Sequence, residues 1–503
     1  MDRRTFIAAA GSAGVLGLDA CGGGGGGSSP PPPPGIDWTP LSSSLQGSLV
    51  LPGNAAFGTA SVAFNVVYDG TVPQAVARCA SAADIALALG FARQNKLAVA
   101  ARSGGHGYTG NSTTTGLVID VGPMSGISLR NDGTAVIGAG AKLVDVYDQL
   151  ATLGVAIPSG SCPTIGIAGI TQGGGIGVLD RAWGLTCDNL VAATVVLADG
   201  TIVDTSDTAH ADLFWAIRGG GGGNFGIVAS MTFATHPASD LTSFSADFAW
   251  ADAARVLAAW QAWPQTLPDT VWSGLVLATT GAPGGHPVVE LSGTFIGDSA
   301  DFMPIWTRFL AGAGATPTTQ SVRTNSLRDT LLASCNGLGV SQCHLPGQTS
   351  DGQVRRASFV ATSDFFDAAL PAAGIQAMLD AVAAQQAAEP LVVIMDLMGG
   401  AIARVAPDAT AFVHRNALFS AQYYISGAVG MTAQQVSDAR AAVTGMRAAM
   451  SAWSSGEAYQ NYLDPDLANW QAAYYGANYA RLVQVKAAYD PEQVFKPLQG
   501  IST

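Results

Sequence analysis

The chain has 503 residues, 48% of them hydrophobic and only 12% charged, with 62 glycines and a formal net charge of −13. That length suffices for two domains, and that apolar content for substantial cores. An acidic chain with no basic patch repels a phosphate backbone, which excludes nucleic-acid binding as a function class.

The first residues read as an export signal rather than as fold. Arg3 and Arg4 precede a short apolar stretch that cannot span a bilayer, and Arg-Arg-x-Phe-Ile is similar to a twin-arginine signal. Asp2 and Ala8 depart from that pattern. "LDAC", ending at Cys21, resembles a bacterial lipoprotein cleavage box with an unusual Asp19 inside it. Plain signal-peptidase cleavage nearby is the alternative. Residues 22–35, Gly/Ser-rich and then Pro-rich, read as a tether holding a domain off a membrane. The expectation is export by the twin-arginine route to a periplasmic or membrane-anchored lipoprotein. That route carries folded cargo, which suits a protein loaded with a cofactor beforehand.

Residues 82–121 predict a helix (AADIALALGFARQNK), a strand (LAVAA), a glycine loop (RSGGHGYTG, 102–110) and a strand (GLVIDV). A further strand (TAVIGAGA) and helix (KLVDVYDQLATLG) follow. The run 158–177 (PSGSCPTIGIAGITQGGGIG) is a second glycine-rich segment. Two β-branched runs around Asp199-Gly200 predict a hairpin over 189–206. A third glycine cluster, 219–226 (GGGGGNFG), leads into the strand GIVASMTFAT. From about residue 238 the texture changes to alternating strands (VWSGLVLAT, PVVELSGTFI, RRASFVATSDFF, LVVIMDLMGG) between Ala-rich helices. One of these, at 432–450, opens with Thr432 and Gln435 at capping-box spacing. This predicts an antiparallel sheet with helices on one face. The last fifty residues return to Gly, Asn and Tyr loops.

Of the six cysteines, Cys79 and Cys187 sit in apolar contexts and read as core. Cys335 and Cys343 flank a short loop and read as a disulfide in an oxidising compartment. A zinc site with His344 is the alternative, though it lacks a second ligand pair at usable spacing. No His-Glu-x-x-His and no glycine-lysine phosphate loop occurs, so no metal site is expected.

The glycine segments carry the functional argument. Gly221 to Gly226 spells G-x-G-x-x-G, but a strand follows where a dinucleotide-binding Rossmann turn needs a helix, so that reading fails. Three such segments in one half of the chain fit a large ligand threaded between loops and held by backbone amides. A flavin dinucleotide has that size.

The ordered set "RSGGHGYTG", "GLVIDV", "GSCPTIGIAGITQGGGIGVLDRAWGLTCDNL" and "GGGNFGIV" resembles the vanillyl-alcohol-oxidase (PCMH-type) flavoproteins. The C-terminal "AYQNYLDPDLANWQAAYYGANYARLVQVKAAYDPEQVFK" is similar to the berberine-bridge-enzyme-like branch, which includes bacterial and fungal sugar oxidases. The resemblance spans roughly residues 45–500. It implies an α+β fold: a flavin domain from 36–237 completed by 455–503, with a substrate domain, 238–454, inserted between.

The resemblance also implies the site. FAD would be bonded to His106 and, through a thioether, to Cys162. The first loop would cradle it with Arg102, Ser103, Gly104, Gly105, Gly107 and Gly110. The second would add Gly160, Ile165, Gly166, Gly169, Gly174 and Gly177. Gly226, Ile227 and Val228 would complete the cradle. Tyr462 would be the base for hydride transfer, Asp396 an acidic neighbour able to take its proton, and Tyr108 a substrate-positioning group. Tyr459 and Asn461 would contact the flavin or its pocket. In this branch isoleucine at the place of Ile165 goes with poor oxygen reactivity, so a quinone or another periplasmic carrier is favoured over oxygen as electron acceptor. The expected substrate is a sugar or oligosaccharide oxidised at its anomeric hydroxyl. The rivals are a polycyclic natural product, or a non-catalytic lipoprotein that keeps the flavin fold. Trp260, Trp263 and Trp272 are candidates for the cleft wall, and Arg404, His414 and Arg415 for either polar lining or fold support.

Overall fold

A computed structural model describes residues 35–503 apart from 283, 389 and 428. The signal and tether readings, Cys21 included, lie outside the described residues.

The first half builds two sheets. In the first, β1 (Ser48–Val50), β2 (Ala75–Arg78), β3 (Val99–Arg102) and β4 (Leu117–Asp120) lie in the order β1-β2-β4-β3. β2 and β3 both run parallel to β4, and β1 pairs antiparallel with β2. The helix Ala82–Gln94 makes the crossover between β2 and β3. It is capped by Ser81, whose side chain accepts from the Asp84 N–H at 3.2 Å, and it buries Ile85, Ala88, Leu89 and Ala92 at helical spacing. Along the chain follow β5 (Ile127–Leu129), β6 (Thr134–Gly138), the short β7 (Val155–Ala156), β8 (Leu190–Val196), β9 (Ile202–Ser206), β10 (Ile227–Ala234) and β11 (His236–Pro237). Five of them form an antiparallel sheet ordered β5-β6-β10-β8-β9, while β7 pairs with β11. The hairpin expected around Asp199-Gly200 is the β8–β9 pair.

The second half is a seven-stranded antiparallel sheet, ordered β15-β12-β14-β13-β17-β18-β16. Its strands are β12 (Leu241–Phe248), β13 (Val271–Ala278), β14 (Val288–Ile296), β15 (Thr319–Asn325), β16 (Ser358–Phe366), β17 (Leu391–Leu397) and β18 (Phe419–Gly427). Alternate residues such as Leu275, Leu291, Val393, Met395 and Ile425 point to one face. There they bury against the helices Ala253–Ala262, Ser299–Ala313, Ala372–Ala384 and Ala433–Met450. The last of these has the expected capping box: Thr432 Oγ1 accepts from Gln435 N–H, and the Gln435 side chain accepts from Thr432 N–H. β12, β15 and β18 were not expected from the sequence. β15 is polar nearly throughout, while β12 and β18 alternate, with Ser243, Ser245 and Gln422 on the cavity face and Phe244, Ala246, Phe419, Ala421 and Tyr423 on the buried one.

The C-terminal segment returns to the first core, where Ala458, Tyr474, Tyr475, Leu482, Val485 and Phe495 are buried with residues of the first two sheets. Its anchor is Lys486 on the helix Tyr479–Tyr489. The fully buried ammonium donates to Asp490 Oδ2 at 2.6 Å, Asn224 O at 2.7 Å and Phe495 O at 2.7 Å. This ties the C-terminal segment to the third glycine cluster. A second clasp joins the helix Leu143–Thr152 to the segment after β15. His344 Nε2 lies 2.9 Å from Asp145 Oδ2, and Arg328 donates Nε–H to Asp148 Oδ1 at 2.7 Å. Within that segment Cys335 and Cys343 form a disulfide, so the zinc alternative is set aside. Cys79 and Cys187 are buried as free thiols. Among the described residues no helix is long and apolar enough to cross a membrane.

Removing one partner of a buried ion pair leaves the other charge without compensation, a loss of roughly 3–5 kcal/mol. Asp490→Ala is therefore expected to lower the thermal midpoint sharply, with Lys486→Met/Asp490→Ala recovering most of it. Denaturation followed by circular dichroism reads this; an Asp490→Ala protein that melts with the wild type would refute the anchor.

Candidate active site

Where the two halves meet, the unpacked face of the seven-stranded sheet looks onto the glycine loops across a cavity of about 1570 Å³. Ordinary small-molecule pockets run to roughly 300–1,000 Å³. The volume thus admits a dinucleotide together with a second molecule.

Close backbone approach shapes the loop wall. A Cβ on Gly104 would lie 2.2 Å from the Gly166 nitrogen, so the two loops touch main chain to main chain. By contrast, a Cβ on Gly169 or Gly223 would meet nothing within 4 Å, although both glycines line the cavity. Their bare backbone faces open space, which is the form a cradle for FAD requires. Arg102 lines the cavity too, but its buried guanidinium is used on main-chain carbonyls: Nε–H donates to Ser112 O at 2.9 Å and Nη2–H to Ser61 O at 3.4 Å. Ser103 Oγ donates to Ala139 O at 2.6 Å.

His106 lies with its Nε2 2.8 Å from Thr164 Oγ1, and Phe64 stacks on its ring with centroids 3.9 Å apart. Burial, and then the nearby Lys142 ammonium, lowers its pKa to about 3, so the imidazole is neutral at ordinary pH. Lys142 is itself buried, with Nζ donating to Gly140 O at 2.6 Å and Ser103 O at 3.2 Å. Cys162 is half-buried on the same wall, as are Gly105, Gly107, Gly160, Ile165, Gly226, Ile227 and Val228.

Facing these loops is an aromatic group. The Tyr108 and Tyr462 rings stack with centroids 5.3 Å apart, and Tyr459 meets Tyr462 edge-on at 4.8 Å. Gln422 on β18 donates Nε2–H to the Tyr108 hydroxyl at 2.8 Å. Burial, with a further contribution from the Tyr462 phenol, pushes Tyr108 well above the usual tyrosine range. The Tyr459 oxygen accepts from Gly175 N–H at 2.8 Å, Ile176 N–H at 3.3 Å and Asn461 Nδ2–H at 2.8 Å. The C-terminal Tyr-Gln-Asn-Tyr stretch is thereby locked to the second glycine segment.

Four expected site residues do not line the cavity. A Cβ on Gly110 would meet the Tyr68 ring at 2.7 Å, one on Gly174 the Phe412 ring at 2.7 Å, and one on Gly177 the Ser159 carbonyl at 1.7 Å. At these three glycines the side-chain direction is filled by protein. Asp396 is buried on β17, on the face that carries the cavity-lining Ile394 two residues earlier. It stands opposite Gly274 and Ser420. Near it, Asp180 is pushed well above the carboxylate range by burial and by the Asp188 and Asp396 charges, even though it accepts the Gly177 N–H. Trp260 and Trp263 belong to the second core, while Trp272 lines the cavity. Arg404 pairs with Asp269, His414 with Glu457 and Arg415 with Asp188, so all three support the fold. Sequence reasoning missed Phe64, Thr164, Lys142, Asp180 and Gln422. Thr164 and Asp180 both stood inside the quoted Gly-Ser-Cys motif, and Lys142 opened a quoted helix run, but no role was read for any of them. Among the described residues no cluster of three or more His, Cys, Asp or Glu side chains could hold a metal.

A cavity faced by glycine loops on one side and a bare sheet on the other defines a flavin-type oxidoreductase site. Residues 73–206 match the family model described as FAD binding domain, and residues 458–502 that described as berberine and berberine like. The chain is 33% identical over 466 residues to the uncharacterized FAD-linked oxidoreductase YgaK of Bacillus subtilis, covering 91% of this chain and 97% of that protein. To the chitooligosaccharide oxidase of Gibberella zeae it is 31% identical over 458 residues, covering 85% and 87%. A solved glucooligosaccharide oxidase from Acremonium strictum, described with a 6-S-cysteinyl, 8α-N1-histidyl FAD, aligns with a TM-score of 0.82 at 27% identity, covering 92% and 98%. The chain belongs to the berberine-bridge-enzyme-like FAD-linked oxidoreductases of the vanillyl-alcohol-oxidase type.

Gly169 lies inside the helix Ile167–Gln172, where a leucine is favoured over glycine by up to about 1 kcal/mol. Gly169→Leu is expected to keep or raise the melting temperature of flavin-free protein while losing bound FAD, read from the absorbance near the flavin bands. Full flavin content in that variant would show that the open backbone is not the cradle.

Proposed function

We propose that this protein oxidises an alcohol carbon of a sugar or oligosaccharide, at its anomeric hydroxyl, with FAD held covalently by His106 and Cys162. The observation that carries the reading is the Tyr108–Tyr462 stack with Gln422, standing in the same cavity as those two loop residues. When bound, FAD supplies the acceptor for the hydride. Tyr462 removes the proton of the hydroxyl being oxidised, and Tyr108 with Gln422 orients the ring so that the reacting carbon lies within about 3–3.5 Å of its acceptor. In this reading Asp396, buried on β17, is the acidic neighbour that accepts the proton Tyr462 gives up.

Support for a saccharide comes from the sheet face. Gln422 lines the cavity beside Tyr108 with an amide that both donates and accepts, which suits a ligand made of hydroxyls. The likeness to a chitooligosaccharide oxidase points the same way. Phe359, Ile394 and Tyr424 form an apolar stretch of the same wall, which favours a flat polycyclic alcohol as the second reading. Covalent attachment is supported by the neutral His106 imidazole and by the histidyl and cysteinyl linkage of the A. strictum enzyme. Ile165 on the wall supports an acceptor other than oxygen.

Tyr462→Phe should keep its flavin and lose about 10²–10⁴-fold in kcat, the usual contribution of a positioned base. Anaerobic bleaching of the flavin with a panel of oligosaccharides and polycyclic alcohols reads both substrate and rate. Unaltered turnover in Tyr462→Phe, or no bleaching by any saccharide, would refute the respective halves of the proposal.

Ile165→Val is expected to speed reoxidation by oxygen by about tenfold, the lower end of what one methylene controls in a tight pocket. Stopped-flow mixing of reduced enzyme with oxygenated buffer measures it, and an unchanged rate would remove Ile165 from the choice of acceptor.

A further inference from the structure

We propose that Thr164 is a positioning residue for flavin attachment, its hydroxyl fixing the His106 imidazole so that Nδ1 presents the lone pair that bonds the ring methyl of the flavin. The inference rests on the covalent reading above. Two contacts determine the pose of the imidazole. Thr164 Oγ1 holds the Nε2 end at 2.8 Å, and Phe64 lies on the ring face at 3.9 Å with 16° between planes. Among the described residues no protein hydrogen bond reaches Nδ1, and the buried Thr164 hydroxyl has no other hydrogen-bond partner.

That isolation lets the hydroxyl change roles. Before attachment, Nε2–H donates to Thr164 Oγ1, which leaves the Nδ1 lone pair available. Once Nδ1 carries carbon, the imidazole becomes neutral only by giving up the Nε2 proton. Thr164 O–H then donates to the bare Nε2. A hydroxyl serves in both directions, and an aliphatic group in neither. The buried Lys142 ammonium nearby supports this chemistry, since it disfavours a second positive charge on the ring.

The step balances as follows. One C–H bond of the ring methyl breaks and one N–C bond forms at Nδ1. The methyl carbon is oxidised by two electrons, which the flavin ring takes up and hands to the external acceptor, a quinone or oxygen. Two protons are released, one from the methyl and one from Nε2, and they leave with the reduced acceptor or to water in the cavity that Thr164 lines.

The test is made in full-length Cys162→Ala protein, where residue 106 is the single point of attachment. The readout is the rate at which FAD becomes acid-insoluble, with flavin located by the mass of the peptide carrying His106. Adding Thr164→Val should slow attachment by about tenfold, as losing one hydrogen bond to a reacting group does, and Thr164→Ser should restore it. Uptake of non-covalent FAD and the melting temperature check that each protein is folded. If the valine protein does not fold, Thr164→Ala makes the same comparison. Attachment as fast in the valine or alanine protein as in its parent, or no rescue by serine, overturns the role of Thr164. A Cys162→Ala parent with no flavin on residue 106 refutes the covalent reading itself, and this proposal with it.

Discussion

The site depends on one main-chain contact, the approach of the loop at Gly104 to the loop at Gly166. No side chain fits there: a Cβ on Gly166 would lie 1.9 Å from Ser103 Oγ and 2.3 Å from the Gly104 nitrogen. The short segment 139–143 stitches both loops together. Ala139 O accepts from Ser103 Oγ, Ile167 N–H donates to Ala141 O, and Leu143 N–H donates to Ile165 O. Lys142 at its centre binds the carbonyls of Ser103 and Gly140. With this arrangement the first loop brings His106, and the second brings Thr164 and Cys162, to one wall. The cation that braces the loops also adds to burial in keeping His106 neutral, so structural and chemical demands meet in one residue.

The second sheet explains how a cavity of this size survives. A sheet with helices on both faces would fill the space. Here the four helices cover one face only, and the other carries small polar residues such as Ser243, Ser245 and Ser292 beside an apolar stretch of Phe359, Ile394 and Tyr424. The C-terminal segment then closes the space from the side. It is tethered at Lys486 to Asn224 and at Tyr459 to Gly175 and Ile176, which places Tyr462 opposite the loops. The insertion between residues 238 and 454 and the return of the chain after it are thus two parts of one cavity: the first supplies a floor, the second the aromatic group that faces the loops.

Legibility in the sequence followed from how each residue met its surroundings. Glycine clusters are conspicuous, since unrestrained glycine costs more backbone entropy than any other residue. The loops around His106 and Cys162, and the tyrosines of the C-terminal motif, were therefore visible. Gly110, Gly174 and Gly177 were visible for the same reason, though they do not line the cavity and their side-chain directions are filled by protein. Sequence cannot distinguish a glycine that admits a ligand from one that admits the Tyr68 or Phe412 ring. β15 was hidden because polar residues fill nearly all of it, whereas β12 and β18 carry the alternation of a half-buried strand, in Phe244, Ala246 and Phe248 and in Phe419, Ala421, Tyr423 and Ile425, diluted by serines and alanines. Lys142 and Asp180 were hidden because a single charge in a sequence reads as surface, and only the fold buries them.

The two stacked tyrosines cannot share one role. Two phenols with ring centroids 5.3 Å apart in a buried site repel as anions, so ionisation of one suppresses that of the other. Tyr108 is disfavoured as an anion: burial raises it first, the Tyr462 phenol raises it further, and the Gln422 amide hydrogen bond offsets only part of this. A neutral Tyr108 whose oxygen already accepts from Gln422 has its own O–H to give. It is suited to donate to a substrate oxygen, not to take a proton. The base of the proposed reaction then falls to Tyr462, which sits at the half-buried edge of the aromatic group, between Tyr108 and the clamped Tyr459. In the proposed reaction Tyr108 would hold the substrate because it stays protonated, leaving Tyr462 to lose and regain the proton.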